Sequence, residues 1–227
     1  MKSALENALE QCGFFLRGGF YPEAADDVPL LPDGQAVATL LVVGSVGPRM
    51  WQEFQKERAD CPHPLDEWTE RRLKVIAGQF GAHPVFPFDR PYYPFQRWDK
   101  RTGTCFKSPL RIEIHPVYGL WHATRGALLF AERLELPEHE KTQHPCKSCV
   151  DTPCLGACPV GAFSNRGLEI KLCADHLAGP DSEDCMTNGC LARRACPVGK
   201  DYQLAPEQAS FHMRALRLYH KEIESLS

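Results

Sequence analysis

The stretch HPCKSCVDTPCLGACPVGAFSNRG, residues 144–167, carries Cys146, Cys149, Cys154 and Cys158 and closes that run on Cys158-Pro159. Thiols this dense ask for a metal, and their reading decides how the chain divides. Eleven cysteines occur in 227 residues. Cys12, Cys61 and Cys105 are scattered, whereas Cys146, Cys149, Cys154, Cys158, Cys173, Cys185, Cys190 and Cys196 crowd into one part of the chain. The opening MKSALENALEQCG has no apolar signal core, and no stretch approaches the roughly eighteen apolar residues of a membrane span. A cytoplasmic protein without membrane contact is expected, and reduced cytosolic thiols point to metal ligation rather than disulfides.

Eight thiolates are what two [4Fe–4S] clusters need. In two-cluster ferredoxins three cysteines of a run hold one cluster, and the fourth, followed by proline, crosses to the other. That grammar occurs twice here, ending on Cys158-Pro159 and on Cys196-Pro197. It assigns Cys146, Cys149, Cys154 and Cys196 to cluster one, and Cys158, Cys173, Cys185 and Cys190 to cluster two. CPVGAF is echoed by CPVGKD, and Gly161 and Gly199 are expected to let the backbone turn close to an inorganic core. The spacing is wider than the standard run, with four residues between Cys149 and Cys154. Two tetrahedral zinc sites would also use eight thiolates. Against zinc stand the two Cys-Pro closures and the lack of paired C-x₂-C knuckles in the second half. Cys12, Cys61 and Cys105 are read as small buried hydrophobes.

The rest of the chain has ordinary globular composition, 43% hydrophobic with a formal charge of −3. Without a basic block, strong nucleic-acid binding is not expected. ALENALEQCGF reads as an amphipathic helix stopped by Gly13, and QAVATLLVVGSVG as a buried strand. Pro48 opens a helix over PRMWQEFQKERA, and a second helix runs from Asp66 to Phe80, ahead of Gly81. HPVFPFD returns as a short strand, and LRIEIHPVYGLWHATRGALLF alternates as two or three strands around a Gly119 turn. APEQASFHMRALRLYHKEIES is a final helix, with Phe211, Ala215 and Leu218 expected on its packed face. Helices interleaved with strands give an α+β class. Three parts are expected: residues 1–140, a two-cluster ferredoxin-like domain over 141–204, and a C-terminal helix over 205–227.

FDRPYYPFQRWD, residues 88–99, crowds Tyr92, Tyr93, Phe95 and Trp98 around Gln96 and Arg97. Such a segment can be the wall of a large flat ligand or an aromatic mini-core. IHPVYGLWHATRGALL, residues 114–129, sets His115, Trp121, His122 and Arg125 around a turn, where histidines are more often structural than ligating.

On these residues the first part resembles the cblC-type cobalamin-processing proteins. His115-Pro116, Gly119, Trp121, Arg125 and Gly126 match a segment of that family, and Tyr93 to Arg97 is similar to its Tyr-rich Gln-Arg run. The resemblance implies a nitroreductase-like α/β sandwich that binds a base-off corrinoid through Tyr93, Gln96, Arg97, His115, Trp121 and Arg125, with Gln96 near the ring and Arg125 at the mouth. The cysteine part resembles the epoxyqueuosine reductases, which join a similar domain to two [4Fe–4S] clusters and keep an isolated cysteine, here Cys173, between two runs. Their helical-repeat tail for tRNA has no counterpart here. Together these imply a redox protein, cobalamin reductase-like, that takes electrons from a donor protein and uses two clusters to reduce a corrinoid or remove its upper ligand. The alternatives are a ferredoxin-type carrier whose first domain docks a partner, and a reductase using FMN or FAD.

Overall fold

A computed structural model describes residues 2–136, 142–164 and 167–225, with the side chains of these apart from residues 2–3 and 219–225. Its elements run α1 (Lys2–Gln11), β1 (Phe14–Phe20), β2 (Thr39–Val46), α2 (Arg49–Lys56), α3 (Pro64–Gln79), β3 (His83–Val85), α4 (Phe95–Arg101), β4 (Phe106–Lys107), β5 (Glu113–Ile114), β6 (His122–Phe130), α5 (Pro153–Gly156), β7 (Phe163–Ser164), β8 (Gly167–Leu168), α6 (Ile170–Ala178), α7 (Glu183–Asn188), α8 (Leu191–Arg194) and α9 (Pro206–Ser225). The class is α+β. No helix among the described residues is long and apolar enough to cross a membrane.

Contacts divide the chain into two units, Met1–Cys105 with His122–Thr142, and Phe106–Trp121 with Gln143–Ser227. The boundary expected at 140/141 lies outside the described residues. Residues 106–121, grouped from sequence with the N-terminal part, belong instead to the cysteine-rich unit. The cause is burial: Leu110, Ile114 and Leu120 form one core with Cys154, Ala192 and Cys196. The C-terminal helix also belongs to this unit rather than standing apart. Its packed face differs from the expected one, since Ala209 and Met213 are buried and Leu218 is exposed; Met213 packs with Leu177 and Cys185.

In the first unit, β2 is apolar on both sides because it is central in an antiparallel sheet of order β1-β2-β6-β3. Leu40 and Val42 pair with Leu129 and Ala127, and these four face a core with Phe20, Val85, Phe95 and Trp98. On the other face lies α3, where Pro64 occupies the first turn and Asp66 and Glu67 complement the helix dipole. This helix begins two residues before the expected Asp66. β1 was not legible because Arg17 and the two glycines of FFLRGGF break its apolar pattern. Gly13, at φ +72, joins α1 to β1; a Cβ there would lie 2.5 Å from the Met50 backbone.

Candidate metal centre

The second unit gathers the eight thiols by short local devices. His144 Nδ1 accepts the Cys146 N–H at 3.2 Å, capping a 3₁₀ turn over Pro145–Lys147. Pro153 starts α5, which carries Cys154. The Cys158 Sγ accepts the Ala162 N–H at 3.3 Å. Cys173 lies on α6, Cys185 on α7, and Cys190 is the cap of α8. A Cβ on Gly119 would lie 2.0 Å from the Val198 carbonyl oxygen, and one on Gly199 2.3 Å from the Tyr118 carbonyl carbon. Gly199, expected to serve an inorganic core, thus serves a close approach of two backbone segments.

Electrostatics sorts the thiols into two sets. Burial first, then the charges of Cys196, Cys154 and Cys149, push the Cys146 thiol up. Cys154 is raised by burial and then by Cys196 and Cys149, and Cys196 by burial and, through charge, Cys149. Separately, burial and the charges of Cys190, Cys158 and Cys185 push Cys173 up to about 11. Burial raises Cys190 too; the N–H groups of Arg193 and Ala192 pull it down, and Cys185 and Cys158 add to the rise. Buried and partly buried thiols that oppose one another's ionisation suit a cationic centre, which compensates the thiolate charge and displaces the protons. The donor set therefore fits metal clusters. Among the described residues no group of three or more His, Cys, Asp or Glu side chains is placed so that it could hold a metal ion. Trp121 is 4% exposed, and its Nε1 has no hydrogen-bond partner among the described residues.

The six residues expected to hold a flat cofactor do not gather within either unit. His115 and Trp121 lie in the second; Tyr93, Gln96, Arg97 and Arg125 lie in the first. His115 Nδ1 accepts the Val117 and Tyr118 N–H groups at 3.1 and 3.2 Å, and the ring stacks on Tyr118. Its role there is to shape the turn. The segment read as an aromatic wall is partly the helix α4. Tyr93 stacks on Trp98, and both join the core on one face of the sheet. Gln96 is exposed. Arg97 bonds the Ala25 carbonyl and Asp27, both at 2.5 Å. Arg125 is on the opposite face: its Nε donates to Ser45 Oγ at 3.0 Å, with Asp66 of α3 as its acidic neighbour. Burial lowers Arg125 to about 10, Asp66 opposing the shift, so it remains charged at neutral pH. The pairing slip at Gly126/Thr124 breaks the alternation along β6, so that Arg125 meets Ser45 and Asp66 while Tyr93 and Trp98 pack with Ala127 and Leu129.

Sequence reading missed a buried polar cluster in the first unit. Pairing slips between Leu16 and Gly18 of β1, leaving Arg17 unmatched, and a second slip opposite Val43/Gly44 leaves Arg125 unmatched. Such bulges re-aim side chains. Arg17, 4% exposed, donates from Nε to Asp99 Oδ1 at 2.9 Å and from Nη2 to Cys105 Sγ at 3.4 Å. Its Nη1 meets His122 Nδ1, which places the proton of a neutral His122 on Nε2. Thr124 Oγ1 donates to Asp99 Oδ2 at 2.6 Å. Cys105, expected as a plain hydrophobe, is thus a polar contact of a guanidinium. The bulges carry no periodic signal, so only the mid-strand arginine hinted at this cluster.

These features define an α+β protein with a cysteine-rich second unit. No family model matches the chain, and no curated protein matches it in sequence. Solved structures match it in fold. An epoxyqueuosine reductase with an epoxyqueuosine-modified tRNA stem loop superposes with a TM-score of 0.55 at 17% identity, covering 92% of this chain and 70% of that one. The epoxyqueuosine reductase of Streptococcus thermophilus gives 0.54 at 13% identity, with the same coverage, 92% and 70%. The C. elegans B12-trafficking protein CblC gives 0.50 at 15% identity, covering 95% of each chain. At these identities the likeness is one of fold.

Proposed function

We propose that this chain is an iron–sulfur redox protein whose two [4Fe–4S] clusters pass single electrons to a corrinoid. The observation that carries the proposal is the sorting of the thiols. Each Cys-Pro thiol stands with the other run, Cys196 with Cys146 and Cys154, and Cys158 with Cys173 and Cys190. Crossing of this kind belongs to two-cluster ferredoxins.

Cys146, Cys149, Cys154 and Cys196 would hold one cluster, and Cys158, Cys173, Cys185 and Cys190 the other. Bound clusters supply one-electron chemistry, with a potential set by charge, hydrogen bonds to sulfur and solvent exposure. The chain contributes the apolar cover of Leu110, Ile114, Leu120 and Ala192 on one side, and Leu177 and Met213 on the other. It also contributes the Ala162 N–H to Cys158 and the Arg193 and Ala192 N–H groups to Cys190. The corrinoid rests on the sequence resemblance and on the fold likeness to CblC. Of the six residues that the resemblance implies for it, His115 and Trp121 belong to the second unit and Tyr93, Gln96, Arg97 and Arg125 to the first.

Absorption spectra of anaerobically purified protein, with and without cob(II)alamin, test the acceptor. A saturable spectral change at about one corrinoid per chain is expected. Clusters without any corrinoid response would leave the electron-carrier reading. Tight, sequence-specific tRNA binding at physiological salt would replace the corrinoid reading with tRNA modification; the formal charge of −3 predicts weak binding.

A further inference from the structure

A groove in the first unit, about 550 Å³ in volume, opens where β1 ends, and two guanidiniums meet there on one residue, Tyr21. The Tyr21 carbonyl accepts a bond from Arg101 Nη2 at 3.3 Å, and Arg133 Cζ stands 3.4 Å from the centre of the Tyr21 ring. The ring is itself fixed. Its hydroxyl donates to the Leu134 carbonyl at 2.9 Å, and the Leu134 N–H donates to Thr39 Oγ1 on the sheet at 2.9 Å. Arg101 is held as well, with Cζ 5.2 Å from the centre of the Phe20 ring and Nε 3.3 Å from Asp26 Oδ1. Among the described residues Arg133 has no carboxylate partner. A guanidinium stacked by its face keeps the N–H groups in its plane for a ligand.

We propose that this groove binds a small phosphate ester of nucleotide size, with the phosphate seated on Arg101 and Arg133. The acids beside Arg101 set the terms. Asp26 is 3% exposed and accepts the Glu23 N–H at 2.9 Å, so it stays in place and balances one charge. Glu23 reaches Arg101 Nη2 at 3.2 Å, but its side chain is 71% exposed. It can turn into water and leave that edge of Arg101 to the ligand, while the Arg133 charge has no protein counterpart to displace. A phosphate monoester brings three terminal oxygens and close to two negative charges at neutral pH, where a carboxylate brings two oxygens and one charge. Two guanidinium forks match the larger acceptor set. The volume lies in the range of small-molecule sites, and Phe20 and Tyr21 give the organic part an apolar wall. Every lining residue belongs to the first unit, so the site is independent of the thiols.

Calorimetric titration of the anaerobically purified full chain, at fixed ionic strength, tests this with adenosine 5′-monophosphate, inorganic phosphate and adenosine as probes. Saturable binding of about one monophosphate per chain is expected, weaker binding of inorganic phosphate, and none of adenosine. Arg133→Gln should weaken the monophosphate by about tenfold or more, the loss of a hydrogen-bonded charge. Arg133 is exposed, so an unchanged melting temperature is expected to show that the fold survives. Glu23→Gln should strengthen binding by about two- to fivefold, because it removes an exposed competitor for Arg101. Three results would overturn the proposal: no saturable binding of either phosphate probe, adenosine binding as tightly as its monophosphate, or a monophosphate affinity indifferent to Arg133→Gln. Single-stranded RNA that binds more tightly than the monophosphate, and loses that affinity in Arg133→Gln, would replace the small ligand with a nucleic-acid backbone.

Discussion

Cys196→Ala is expected to abolish the same EPR signal as Cys146→Ala, to leave the signal that Cys173→Ala abolishes, and to reduce bound iron by about four per chain. The reason is spatial. Cys196 follows the second run in sequence, yet its thiol feels Cys149 and is felt by Cys146 and Cys154. It also shares a core with Cys154, Leu110, Ile114 and Leu120. If instead Cys196→Ala and Cys173→Ala silence one common signal, each run holds its own cluster and the crossing is wrong. The effect should extend to stability, because metal binding to thiolates contributes directly to folding in small cysteine-rich units.

Asp99→Ala should destabilise the first unit by about 3–5 kcal/mol, the usual cost of leaving one member of a buried ion pair without its partner. Asp99 is 6% exposed and Arg17 4%, so water cannot readily replace the lost carboxylate. Arg17 would lose its carboxylate partner, and Thr124 would lose the oxygen it donates to. Thermal unfolding should fall by roughly 6–20 °C on that basis. A double variant, Arg17→Met with Asp99→Leu, should recover much of the loss, because apolar replacement of both partners is often nearly neutral. If the double variant is as unstable as the sum of the single ones, the pair is not the cause.

What the sequence made legible was chemistry that stays local. Thiols cannot be mistaken for core in a run such as Cys146 to Cys158, and the two Cys-Pro closures are what suggest the crossing proposed above. β2 and α3 were legible because unbroken apolar runs and a proline–acid helix start act over a few residues. The rest depended on tertiary placement. Residues 106–121 look like a continuation of the preceding domain, but Ile114 and Leu120 find their apolar partners beside Cys154 and Cys196. Arg17 and Arg125 occupy bulges, and a bulge is a mismatch between two strands that neither strand shows alone. Arg193 reads as an ordinary helix cation until Leu120, 73 positions earlier, is brought beside it. The aromatic segment 88–99 has a composition that fits a ligand wall as well as the core it partly joins.

The central claim is that this chain carries two iron–sulfur clusters, and iron, zinc and acid-labile sulfide analysis of anaerobically purified protein tests it most directly. Two [4Fe–4S] clusters predict about eight irons and eight sulfides per chain, with no stoichiometric zinc. About two zinc ions per chain without sulfide, in a colourless protein, would contradict the account.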